Sequence, residues 1–437
     1  MTEMGKEGTM REWDRDGVLR SILEPVRLPR MAIIRQKLTD NGIRDIPVAI
    51  EREMCRPGIA SAIRPGAEIA ITAGSRGIAN IVVILREIAA FVKKKGGRPF
   101  VFPAMGSHGG ATSEGQRSLL EGYGITEQAV GAPVRSTMET RVIGTTAAGL
   151  PVHLDRSAAE ADGIIVVGRI KPHTAFHGTY ESGLMKMVAI GMGKQRGAEI
   201  CHAAGFGRFS EVLPSFARIT LATGKVLFGV GIVEDSFDNT CRIEAIPSRE
   251  IESREPQLLE EARRLMPKIP FAEFDVLVVD RIGKNFSGDG ADPNITGTYC
   301  TPYASGGPRI KRYVILDVAD DSHGNSVGIG MADITTARLM EKTDYDAMYP
   351  NALTSRAMNT VRIPMVMKND MLALKAAVFS SIGIDPQRPR IVRISDTSHI
   401  EVLSVSEAMM EDSAKDPSIE VVQPPKELAF DSNGNLF

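Results

Sequence analysis

Three of the seven histidines in this 437-residue chain fall in one stretch, residues 163–205, together with three lysines. The stretch reads GIIVVGRIKPHTAFHGTYESGLMKMVAIGMGKQRGAEICHAAG and carries His173, His177, His202, Lys171, Lys186 and Lys194. Core packing does not call for that mixture. Imidazole suits proton transfer near neutral pH, and it also binds borderline metals such as nickel or zinc. Spacing alone leaves both chemistries open. His108 stands in a second loop, residues 105–112 (MGSHGGAT), where the glycines let a ligand approach the backbone. Arg76 follows the turn Gly74-Ser75, and a guanidinium grips a carboxylate in bidentate fashion. Lys284 and Asn285 lie in another glycine-rich loop, residues 281–297. His153 reads as a strand residue, His323 and His399 as exposed turn residues, and Cys201 as a small buried one.

The elements that must position these groups follow from the apolar runs. Strands are predicted over residues 68–73, 98–104 and 163–170, and Arg76, His108 and His173 follow them in that order. A restart of the pattern at residues 274–280 is followed by Lys284 and Asn285. In open α/β sheets, ligands bind outside the carboxyl ends of the strands, so four such loops mark one edge. Helices are expected over residues 78–95, from Ser113 as N-cap, and over 213–223, 251–266, 333–342 and 370–381. A strand is expected near residues 31–34, and the tail after Ser413 reads as polar and proline-containing. The predicted fold is α/β, with two domains, largely parallel sheets and an inter-domain active-site cleft. The first domain spans residues 1–268 and a smaller one spans 269–437, joined near Pro267-Lys268-Ile269-Pro270.

Composition excludes several classes. The formal net charge is -2, which gives no case for nucleic acid or an anionic membrane as partner. No apolar run approaches a spanning helix, and the polar N-terminus lacks the apolar core of a signal peptide. The four dispersed cysteines favour a reducing, cytoplasmic setting. GMGK (residues 191–194) is a phosphate loop only superficially, since Gln195 follows the lysine. No G-x-G-x-x-G follows a strand.

Taken together, G-S-H-G-G-A-T at 106–112, R-I-K-P-H at 169–173, S-G-L-M-K at 182–186 and His202 resemble the nickel-dependent lactate racemase family. The resemblance implies a two-domain fold and a nickel pincer nucleotide cofactor. It implies His202 as nickel ligand and Lys186 as cofactor contact, with Ser75, Gly109, Gly110 and Thr112 beside the cofactor. His108 and His173 (or His177) would be the acid/base pair, and Arg76, with Lys284 and Asn285, would hold the substrate. The implied activity is racemisation or epimerisation of a small 2-hydroxy acid through a 2-keto acid. This chain departs from the family's D-x-T-R and G-x-H-R loops at Ala73 and Gly109, and these small residues are expected to leave room for a substrate bulkier than lactate. Two other readings are a zinc-dependent lyase or isomerase using His173, His177 and His202, and a non-catalytic protein binding a nucleotide or acidic metabolite.

Overall fold

The computed structural model describes residues 17–437. The reading of the polar N-terminus therefore falls almost wholly outside the described residues. The strands in chain order are β1 (Met31–Gln36), β2 (Glu68–Ala73), β3 (Arg98–Pro103), β4 (Thr140–Thr145), β5 (Pro151–Asp155), β6 (Gly163–Arg169), β7 (Val226–Glu234), β8 (Thr240–Pro247), β9 (Val276–Ile282), β10 (Arg312–Val318), β11 (Ile334–Thr336), β12 (Met365–Met367), β13 (Ile391–Ile394), β14 (Val402–Ser406) and β15 (Ile419–Lys426).

Among the described residues these strands form two large sheets and one small hairpin. The first sheet has the order β3-β2-β6-β7-β8. Its first four strands are parallel and β8 closes it antiparallel to β7. Apolar cores cover both faces: Ile164 and Val166 enter one, and Ile165 and Val167 enter the other. A strand covered on both sides must be apolar at every position, which is why β6 reads as a continuous run. The second sheet has the order β12-β11-β10-β9-β13-β14-β1-β15. It is parallel from β12 to β13 and antiparallel beyond. Two further cores sandwich it. The fold is thus α/β with largely parallel sheets, as expected.

Three details differ from the sequence reading, the first being that residues 334–336, expected to open a helix, form β11, and the helix begins only at Ala337. The strand at Met31–Gln36 pairs with β14 and β15, so its hydrogen bonds lie in the second sheet although residues 1–268 were assigned to the first domain. The tail after Ser413 contains β15, a strand with mostly exposed residues. An edge strand facing water needs no apolar alternation, so neither its polarity nor its prolines rule it out.

Candidate active site

The carboxyl ends of β2, β3, β6 and β9 carry the loops that hold the candidate residues. After β6, the chain passes through His173 and a turn to the short helix Leu184–Lys186, which continues as a π-helix over Met187–Gly191. Buried Glu181 ties this turn together. It accepts hydrogen bonds from the backbone N–H of His173 (2.7 Å) and Gly178 (2.9 Å), and pairs with Arg263. Buried Glu255 does the same for the helix start, accepting from the Met185 N–H at 2.8 Å. Burial pushes its carboxyl up to about 8. Neither glutamate was singled out from sequence, because each lies in a polar run and its burial depends on distant segments.

Lys186 Nζ lies 2.6 Å from His173 Nε2. On the other side of the ring, His173 Nδ1 accepts from the Ala175 N–H at 3.0 Å. A neutral imidazole carries one ring proton, so that proton sits on Nε2 and is directed at the Lys186 nitrogen. A hydrogen bond in that direction requires the amine lone pair. Burial, with repulsion from Arg76, pushes Lys186 down to about 8. Burial and then Lys186 hold the His173 imidazolium well below the ordinary histidine range.

His108 has the opposite tautomer. Its Nδ1 lies 2.7 Å from the Met105 carbonyl, an acceptor only, so Nδ1 carries the proton and Nε2 keeps its lone pair. Protein surrounds the ring closely while part of it still faces solvent. That crowding, with Arg76, pushes it down to about 3. Burial likewise lowers Arg76, whose neighbours include Tyr123, Asp289 and Arg169. A Cβ at Gly288 would stand 3.3 Å from Arg76 Nη2, so the second-domain loop comes directly against this guanidinium. In that loop Lys284 Nζ donates to the Gly288 carbonyl at 2.6 Å, and burial, with Arg76, pushes Lys284 down to about 7.

His202, on the helix Lys194–Ala203, packs against Phe206 and Phe209 at ring-centroid distances of 5.8 and 5.1 Å. His173 reaches the same aromatic group, 6.1 Å from Phe206 and 4.4 Å from Phe176. Burial, Lys186 and Arg356 push His202 down to about 4. Arg76, His108, His173, Lys186, His202 and Lys284 thus form one electrostatic neighbourhood.

Other expected residues lie differently. His177 Nε2 is engaged by Asn294 Oδ1 at 3.0 Å, across the boundary between the sheets, so His173 rather than His177 reaches Lys186. His173, His177 and His202 also do not form a metal-ligand trio: among the described residues no three of His, Cys, Asp or Glu are grouped for a metal. The Asn285 side chain folds back over Gly283, its Oδ1 2.2 Å from where a Cβ there would stand. Thr112, not Ser113, is the N-cap of the helix Ser113–Gly122, its hydroxyl accepting from the Gly115 N–H at 3.0 Å. Gly109 leaves no spare room. It has φ +66°, and a Cβ there would meet the Gln116 nitrogen at 2.6 Å. Ala73 is buried in the core and leaves none either. Gly110 is open, with nothing within 4 Å of an added Cβ. The Ser75 carbonyl accepts from the Tyr123 hydroxyl at 3.0 Å, which fixes the turn before Arg76.

Asp289 was missed. Thr174 is its hydrogen-bonding neighbour, and Lys284 and Arg76 act on it electrostatically. Its Oδ2 is buried without a hydrogen-bond partner among the described residues. Burial raises this carboxyl. A carboxylate in a D-G-A-D-P turn gives no sequence signal that sets it apart from a surface loop.

Residues 36–210 match the family model of the lactate racemase N-terminal domain. The lactate racemase apoprotein from Thermoanaerobacterium thermosaccharolyticum has a similar fold, with a TM-score of 0.52 and 13% identity over 84% of this chain and 98% of that one. No curated protein matches the chain. No helix among the described residues is long and apolar enough to cross a membrane.

Proposed function

We propose that this chain is a member of the lactate racemase family and an isomerase that inverts C2 of a small 2-hydroxy acid, using a nickel pincer nucleotide. The observation that carries this reading is the pair of histidines in opposite tautomers beside Arg76 and Lys186. His108 offers an Nε2 lone pair that accepts the substrate's hydroxyl proton. His173 offers an Nε2–H that holds the same oxygen as it becomes a carbonyl. Arg76 fixes the carboxylate in bidentate fashion, with the Lys284 amine, pushed down to about 7, at the same edge. Both histidines are held neutral at neutral pH, the form a base must have.

The residues present fit the cofactor. His202 is one imidazole in an aromatic wall, kept in the neutral form that binds a metal, and a group that brings its own donors needs only that one. Lys186, whose amine is freed as pH approaches 8, would contact or tether the same group. When bound, the group supplies hydride acceptance and return at C2, and the protein supplies position and electrostatics.

The test is purification after co-expression with the cofactor-synthesis enzymes, followed by metal analysis, native intact mass and enantiomer interconversion in D2O. We expect nickel, added mass, and inversion with C2–H retained. Deuterium entering C2 at each inversion would point to proton abstraction instead. Zinc without added mass would favour the lyase reading, for which the structure groups no trio of ligands.

A further inference from the structure

The GMGK segment ends in Lys194, a residue the reaction above leaves unused. Its side chain is 1% exposed, among the largest fully buried side chains of the molecule. Its backbone has φ +55°, a left-handed conformation that costs a non-glycine residue energy and persists only where the surroundings enforce it. The ammonium has two hydrogen-bond acceptors and one ion-pair partner. Nζ donates to the Pro103 carbonyl at the end of β3 (2.7 Å) and to Gln116 Oε1 (2.8 Å), and stands 3.3 Å from Asp155 Oδ2.

Gln116 extends this contact to the active site. It is fully buried, and its Nε2 donates to the carbonyls of Gly106 (2.9 Å) and His108 (3.2 Å). A side-chain amide can turn over and exchange its oxygen for its nitrogen. An ammonium only donates, and beside the Asp155 carboxylate Lys194 is one, so it requires Oε1 on its own side and leaves the NH2 for the two carbonyls. The backbone adds a strut between the same segments, from the Gly106 N–H to the Gly191 carbonyl at 3.2 Å. The π-helix Met187–Gly191 and the turn after it therefore join Lys186 to the loop bearing His108.

We propose that Lys194 is a positioning residue for His108: by orienting the Gln116 amide it fixes the carbonyls of Gly106 and His108, and so aims the Nε2 lone pair at the substrate. This rests on His108 acting as the base. The role does not require Lys194 to touch substrate or cofactor. A displacement of about 1 Å at a reacting group costs on the order of 100-fold in rate, which sets the expected size.

The experiment uses two variants of the full-length, cofactor-loaded protein. Lys194→Met removes the donor, and Gln116→Glu keeps an acceptor for Lys194 while removing both N–H groups from the loop. Each is checked for folding by Tm, because Lys194→Met also leaves Asp155 without its cation. For the folded variants we expect kcat to fall about 100-fold with KM within about threefold. We also expect the 15N signals of His108, selectively labelled, to move from a single Nδ1–H tautomer to a mixture. Should Lys194→Met not fold, Gln116→Glu alone decides. Unchanged kcat and an unchanged His108 tautomer in a folded variant overturn the proposal. If the wild type inverts no 2-hydroxy acid, the tautomer measurement still decides the role of Lys194, and only the racemase reading fails.

Discussion

The contact between Lys186 and His173 predicts an unusually reactive lysine. His173 Nδ1 is committed as acceptor to the Ala175 N–H, so its Nε2–H can meet Lys186 only if the amine is neutral. The lysine is pushed from 10.5 to about 8, by burial first and Arg76 second, with Asp289 and Glu181 opposing. At pH 7 a group titrating at 8 is about 10% neutral, against about 0.03% for an ordinary lysine, a difference of roughly 300-fold. Its folded pKa lies below the unfolded one, so the unfolded chain holds more protons between about pH 8 and 10.5. The cost of burying the ammonium, about 3 kcal/mol, is therefore present in full below pH 8 and is relieved as pH rises through that window. The assay is the pH dependence of amine labelling in the cofactor-free protein, read at the Lys186 peptide by mass spectrometry. We expect a labelling midpoint near pH 8 and a rate at pH 7 at least 100-fold above that of exposed Lys93. A midpoint near 10.5 would mean that Lys186 is an ordinary ammonium and that the tautomer assigned to His173 is incorrect.

Arg76→Lys keeps the charge but loses the planar fork, and is expected to lower kcat/KM about 100-fold, chiefly through KM, in steady-state assays across 2-hydroxy acids. Glu255→Gln tests the buried carboxyl that titrates near 8. The folded state holds the extra proton between about 4.5 and 8, so wild-type stability should fall as pH rises through that window, by on the order of 5 kcal/mol, and the variant should show a flatter Tm profile from pH 5 to 8.5. His202→Ala is expected to lose bound nickel by metal analysis while keeping a wild-type Tm within a few degrees, because the ring is only partly buried.

The residues that follow parallel strands were legible because two signals coincided at each: an apolar run that can only be a strand covered on both faces, and a polar side chain among glycines just after it. Arg76, His108, His173 and Lys284 were found this way, and the structure gathers them. The same reasoning placed Asn285 beside Lys284, where proximity in sequence misleads, since its side chain turns back over Gly283. It also took Gly109 as spare volume, whereas the glycine is required by its positive φ and by the backbone of the next helix. Choosing between His173 and His177 was beyond spacing. Both lie in one turn, and what separates them is Asn294, more than a hundred residues away, which engages His177.

Lys194 shows why a site's supports are harder to read than its reacting groups. In sequence it is a lysine after glycines, the usual appearance of an exposed or phosphate-facing cation. Its burial is decided by Pro103, Gln116 and Asp155, contributed by β3, the helix Ser113–Gly122 and β5, which no local pattern connects. A reacting group must meet solvent and substrate, so it tends to be held in a loop whose glycines mark it. A supporting group must be shut away from water, and the cost of burying its charge is offset only by partners that the fold brings together. The left-handed backbone at Lys194 is held where two acceptors and a carboxylate converge on one ammonium, and one of them, the Gln116 amide, leads to the carbonyls of Gly106 and His108. The loop that sequence identifies and the lysine that sequence passes over are therefore joined through one amide, and only the loop has a local signature.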